Sequence, residues 1–260
     1  MKRLRLLLIL TLLFSLTSCL NKYGAYTSPQ EYHILSQEGE LYYNAIKNIN
    51  IDWVQGSVVV TTSDEYTGVV VKESYKDKLE EKHIAKVWDN GSTLNIRYCS
   101  SNVSMPSNLS KNLTVYLPTN YSLDYLDIET VSSSVEVSKV TTNSLEVSVV
   151  SGNSKVSGVK AKNMDFECVS GNLTVECYPI ASSIDIEQVS GNTVLSFASH
   201  IPGFTLEYET VSGKFQSDLS LTVSGEIYKY LNDEFMSIDY ECVSGNLSIV
   251  THECTHPIIY

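Results

Sequence analysis

Residues 252 to 256 read His-Glu-Cys-Thr-His, which matches the H-E-x-x-H pattern of zinc hydrolases. In that chemistry two histidines one helical turn apart ligate Zn2+ at about 2.1 Å. The glutamate serves as general base, and a third ligand comes from elsewhere. The surrounding residues argue against a helix. Val250 and Thr251 are β-branched, and Pro257 stands one residue after His256. In a strand, residues four apart lie about 13 Å from each other, too far to share one ion. His252 and His256 are therefore read as exposed residues at a fraying strand end, and zinc hydrolysis is set aside. Adventitious metal binding by His252, Cys254 and His256 is a better match to this stretch than catalysis.

A second set of residues recurs along the chain. Asp165 and Glu167, Asp185 and Glu187, Glu207 and Glu209, and Asp239 and Glu241 repeat one pattern, with Asp127 and Glu129 ahead of them. Stacked in parallel, these residues form two outward columns of carboxylates about 4.8 Å apart. Neighbouring like charges at that distance cost on the order of 1 kcal/mol per pair in water. A divalent cation such as Ca2+, or a cationic partner, would offset the repulsion. The bland reading is a solvated face that keeps a sheet soluble. The pattern differs from calcium-binding nonapeptide repeats, which carry their Gly and Asp in the corners.

The cysteines offer less. Cys168 and Cys242 fall in one column, and chain order puts them three rungs apart, about 14 Å, beyond disulfide reach. Cys168 and Cys177 flank one corner and could face each other across a core. With Cys99, these residues read first as small buried apolar groups.

The element that must position all of them is a repeat. Six segments align, beginning at Asp127, Glu146, Asp165, Asp185, Glu207 and Asp239: DIETVSSSVEV, EVSVVSGNSKV, DFECVSGNLTV, DIEQVSGNTVL, EYETVSGKFQS and DYECVSGNLSI. Each reads as strand, tight corner, strand. Apolar residues alternate with acidic ones before the corner, so one face is dry and the other wet. Ser-Gly-Asn is corner chemistry. A unit of about 20 residues cannot bury its own apolar face and must stack on copies of itself. The expected fold is all-β, a parallel β-solenoid of about 20-residue rungs over residues 126–254, stacked in chain order. An up-and-down antiparallel sheet is the structural alternative. Residues 41–125 read as a less regular β region or cap, with strands in INIDWVQGSVVVTTS, TGVVVKESY, TLNIRY and LTVYLP. A charged segment, KDKLEEKHIAKVW, forms a short helix or loop between the second and third of these.

The VSGN-type repeats, with IDWVQGSVVV from Ile51, STLNIRY from Ser92 and NLTVYLPTNYSLDYLDIETVSSSVEV from Asn112, resemble the bacterial adhesin-like domains of unknown function. The resemblance covers about residues 51–250. It implies a β-solenoid at the cell envelope and supplies no catalytic residues.

The chain opens MKRLRLLLILTLLFSLTSCL. A basic start, an apolar run too short to span a bilayer as a helix, and LTSC resemble a lipoprotein signal. The expectation is a signal peptide over 1–18, cleavage before Cys19, lipid on its sulfur and a polar tether over 19–40, with residues 255–260 as a tail. Two or three acyl chains would hold the protein on the extracytoplasmic face of a cell membrane. Loss of three basic and no acidic residues with the signal takes the net charge from −12 to −15. So acidic a chain excludes nucleic acid as a partner. The functional reading is a non-enzymatic envelope lipoprotein that contacts an envelope protein or glycan. The alternatives are a glycan-active hydrolase or lyase on the solenoid flank and an envelope-stress sensory accessory.

Overall fold

The computed structural model describes residues 33–34, 39–76, 78–104, 106, 109–178, 180–198, 203–231 and 235–252. In chain order the strands are β1 (His33–Ile34), β2 (Glu40–Tyr43), β3 (Asn48–Ser63), β4 (Val69–Tyr75), β5 (Lys86–Asp89), β6 (Thr93–Arg97), β7 (Lys111–Pro118), β8 (Ser122–Ser138) and β9 (Thr141–Ser151). They continue as β10 (Ser154–Ser157), β11 (Lys160–Ser170), β12 (Leu173–Cys177), β13 (Ser183–Ala198), β14 (Phe204–Ser212), β15 (Phe215–Ser217), β16 (Thr222–Ser224), β17 (Ile227–Tyr230) and β18 (Met236–His252). The charged segment ahead of β5 forms one 3-10 turn, Glu81–His83.

The strands build a parallel β-solenoid with two faces. The first sheet runs β1–β5–β6–β3–β8–β9–β11–β13–β18–β14–β17–β16. The second runs β2–β4–β7–β3–β8–β10–β12–β13–β18–β15. β3, β8, β13 and β18 turn the corner without a break and belong to both. The interior pairings are parallel, and antiparallel pairing is confined to the two ends. The parallel stack begins within the segment 41–125, where β6 and β7 lie parallel on one edge of β3 and β8 lies in register on the other.

The alternation read from the repeats becomes columns. Ile51, Ile128, Val147, Phe166, Ile186, Tyr240 and Tyr208 stack rung on rung. All are buried except Tyr208, which is half-buried. The Tyr208 and Tyr240 rings lie 5.6 Å apart and nearly parallel, as in-register stacking requires. Val58, Val135, Leu173 and Leu247 face them from the second sheet. Each such residue stabilises the fold by roughly 1.5–3 kcal/mol through loss of apolar surface.

Ser-Gly-Asn shapes the corner for two separate reasons. A Cβ on Gly171 would lie 1.7 Å from Gly152 O, and one on Gly191 would lie 1.8 Å from Gly171 O. Only glycine lets successive corners approach this closely. The asparagines form a ladder beside them. Asn153 Oδ1 accepts from the Asn172 N–H at 3.0 Å, and Asn172 Oδ1 accepts from the Asn192 N–H at 3.1 Å. Asn246 Nδ2 donates to Asn192 Oδ1 at 2.8 Å.

The order of the last rungs differs from chain order. β18 docks on β13, and β14 lies outside β18. The physical reason lies in the corners. The β18 rung carries Ser-Gly-Asn with Leu247 and Ile249 behind it, so it can pair on both edges. The β14 rung carries Ser-Gly-Lys. Lys214 takes Asn246 Oδ1 on its backbone N–H at 3.1 Å but has no side-chain amide carbonyl to extend the ladder. It is an end rung. Cys168 and Cys242 are accordingly separated by Gln188 alone, two rungs apart and not three.

Candidate acidic face and buried ion pair

The outward residues of the first sheet form two carboxylate columns. One contains Asp127, Glu146, Asp165, Asp185, Asp239 and Glu207, continuing into Asn50 and Asn95. The other contains Asp52, Glu129, Ser148, Glu167, Glu187, Glu241 and Glu209, and ends on Arg97. The residues expected to form a ladder therefore do so, with the order corrected. Asp185 and Glu187 neighbour Asp239 and Glu241, while Glu207 and Glu209 stand at the end. The middle of the ladder is a groove of about 290 Å3 lined by Asp165, Glu167, Asp185, Glu187, Asp239 and Glu241 above Ile186.

Desolvation, and then crowding by like charges, raises the proton affinity of Asp127, Glu129, Asp165 and Glu167. Loss of solvent, then repulsion from Glu129 and Glu146, pushes Asp127 up to about 7. Asp165 is raised by desolvation and then by Glu146 and Asp185. Glu167 is raised by desolvation and then by Asp165. The Tyr125 hydroxyl donates to the Glu146 carboxylate. Glu146 heads its own repeat, so its place in the column was legible in the alignment. Asp52 and Arg97 lie upstream of the repeats and gave no such signal.

At the outer end, Glu207, Glu209 and Glu226 bring carboxylate oxygens within 4.8 Å of one another. Three carboxylates offer up to six oxygens, the lower limit of a calcium shell. Glu226 comes from the turn between β16 and β17 and was not foreseeable from the repeat.

A second polar cluster lies inside the cap. Lys111 and Glu73 are fully buried, with Nζ and Oε1 2.5 Å apart. Lys111 Nζ also donates to His83 O at 2.7 Å and to Tyr98 O. The ammonium thus faces two backbone carbonyls and one carboxylate oxygen. The Tyr98 ring centroid is 4.0 Å from Nζ and that of Trp53 4.9 Å. Glu73 Oε2 accepts from the Ala85 N–H at 3.1 Å. Burial pushes the Glu73 carboxyl up and the Lys111 ammonium down, and each charge opposes the other's shift. Its sequence signal was a charge in the inward register of β4 and another in that of β7.

His252 closes β18 as a strand residue opposite Ala198, and Ser196 Oγ lies 2.9 Å from its Nδ1. The remainder of the H-E-x-x-H stretch and Cys254 lie outside the described residues, as does Cys19. Cys99, Cys168, Cys177 and Cys242 are buried and form no disulfide with one another, and desolvation raises Cys168 to about 11.

A parallel solenoid with an acidic outer face and glycine–asparagine corners defines a class of β-repeat protein. Residues 46–180, just over half of the sequence, match the Toastrack DUF4097 family model, and the chain belongs to that family. Among solved structures, a candidate cell adhesion protein from Clostridium sporogenes ATCC 15579 aligns with a TM-score of 0.50 at 16% identity, covering 85% of this chain and 98% of that one. A candidate adhesin from Bacteroides fragilis NCTC 9343 aligns with a TM-score of 0.35 at 12% identity, covering 86% of this chain and 98% of that one. None of the curated proteins matches this chain.

Proposed function

We propose that this protein is a lipid-anchored lipoprotein on the extracytoplasmic face of a cell membrane, and that its acidic face makes non-enzymatic contact with a cationic region of an envelope protein or glycan. The in-register carboxylate columns carry the reading. They place like charges about 4.8 Å apart over many rungs, a repulsion that a cationic partner would relieve. Membership of an adhesin-like family and the LTSC signal support the location.

Two experiments test it. Cys19→Ser should abolish diacylglycerol attachment, read by mass spectrometry, and release the chain from the membrane fraction. Pull-down from intact cells should recover a partner that is lost when Asp165, Glu167, Asp185 and Glu187 are changed together to Asn and Gln. Recovery undiminished by that change would overturn the role of the acidic face.

Calcium is a second occupant that Glu207, Glu209 and Glu226 favour. In that case the melting temperature rises with Ca2+, and Glu207→Gln with Glu209→Gln removes the rise. An unchanged melting temperature would exclude it.

A further inference from the structure

The two sheets end at different heights at the carboxy-terminal end of the solenoid. The second sheet stops at β15, in the same rung as β14. The first continues through β17 to β16, two strands and about 10 Å further at ~4.8 Å per strand. The end surface is therefore a step. Exposed apolar side chains gather at this end: Val211 comes from the last rung, Val223 and Ile227 from its hairpin, and Leu231 and Phe235 from the segment that leads from β17 to β18.

The orientation of these residues says what fits. Tyr228 lies across from buried Leu206, so it faces the core side, and its ring packs on Phe215 and Tyr208. Val223 lies across from Tyr228 on the same side, yet is 55% exposed. It is a core-facing residue that the chain leaves more than half exposed. Phe215, half-buried, faces the core from β15, across from Leu247.

Strand direction completes the argument. β17 is antiparallel to β14 and β16 is antiparallel to β17, so β16 runs with β14. β15 returns from the corner in the opposite sense. A twofold axis along the strands exchanges the two sheets and keeps each strand's direction. It therefore sets the high edge of one copy beside the low edge of the other, with the two edges antiparallel, and it does so twice. A self-complementary step of this kind is what an isologous interface requires.

We propose that this end of the solenoid is a docking surface for a second copy of the same chain, in which β16 of each copy pairs antiparallel with β15 of the other. Matching of the core-facing sides puts Val223 opposite Phe215 of the second copy and Ser224 opposite its Lys214. Glu226 lies diagonal to that lysine, within reach of an opposite charge. The charges and the apolar residues thus agree on one register. The opposite end of the solenoid offers no such step, because among the described residues both sheets continue three strands beyond β3, to β1 in the first and β2 in the second.

The test is sedimentation velocity of the full-length chain in density-matched detergent, up to about 100 µM. The expected result is a dimer whose dissociation constant rises at least about tenfold in Val223→Lys, with an unfolding midpoint unchanged at concentrations where both proteins are monomeric, because the site is then exposed. A Lys214→Cys/Ser224→Cys double variant should give a disulfide-linked dimer on oxidation, in excess of that formed by the unsubstituted chain. Facing Cα atoms about 5 Å apart lie within disulfide range. A chain that stays monomeric over this range, or a dimer that Val223→Lys and the cysteine pair leave unaffected, would overturn the proposal.

Discussion

Glu73 and Lys111 allow a quantitative test of how the cap is held. Glu73→Gln leaves an ammonium in a fully buried site, facing two carbonyls and two aromatic rings with no counter-charge. Breaking one side of a buried pair costs about 3–5 kcal/mol, because the remaining charge cannot be hydrated. That is a large part of the roughly 5–15 kcal/mol that holds a domain folded. With an m value near 3 kcal/mol/M, the urea midpoint should fall by about 1–1.7 M. Lys111→Met should cost a similar amount, leaving Glu73 with only the Ala85 N–H. The double change Glu73→Leu/Lys111→Met removes both charges, and its cost should be far below the sum of the singles. Urea unfolding of all four proteins closes the cycle. If Glu73→Gln costs less than about 1 kcal/mol, or if the singles add, the pair is not an obligate ion pair and the description of the cap is wrong.

Three further outcomes follow from other parts of the fold. Gly191→Ala should destabilise by about 2 kcal/mol or more, since its Cβ would meet Gly171 O at 1.8 Å on a backbone with φ of 130°, whereas Gly91→Ala, at φ 79° with open space around it, should cost only about 1 kcal/mol. Equal urea midpoints for the two variants would contradict the close-corner argument. Asp127 keeps its proton when folded between about pH 4 and about pH 7, where the unfolded chain has lost it, so stability falls as pH rises through that window and is level above it. Asp127→Asn should remove about 1–2 kcal/mol of that fall, after allowance for partial exposure, when urea midpoints at pH 4.5 and pH 8 are compared; an unchanged slope counts against the shift. Asn172→Ala removes the Nδ2 bond to Asn153 Oδ1 and the Oδ1 that accepts from the Asn192 N–H, and should cost about 1–2 kcal/mol by urea unfolding, and a neutral result would make the ladder incidental.

Much of the fold is legible in the repeats because a parallel stack puts like residues on like. Ile128, Phe166 and Ile186 recur at one phase of a two-residue alternation, and that phase determines the dry side whatever the neighbours are. The carboxylates recur at the opposite phase and so must share the wet side. Glycine at the corners of β3, β11, β13 and β18 follows from the same geometry, since these rungs meet their neighbours at the same point, while Ser133 takes that position in β8. Even Glu73 and Lys111 can be recognised as charges in an inward phase.

What the chain's letters left open is which rung lies on which. Periodicity gives each segment its phase and says nothing about its neighbour, because a rung's two edges offer the same backbone groups to any other rung. That choice was made by long-range competition. β18, with an asparagine corner and a full second strand, took the inner place on β13, and β14, with Lys214 at its corner, was left outside. The position of Glu207 and Glu209 at the end of the acidic face, the approach of Glu226 and the step at the last rung all depend on that exchange. The meeting of Glu73 with Lys111 is likewise tertiary, since it depends on β4 folding back across β7.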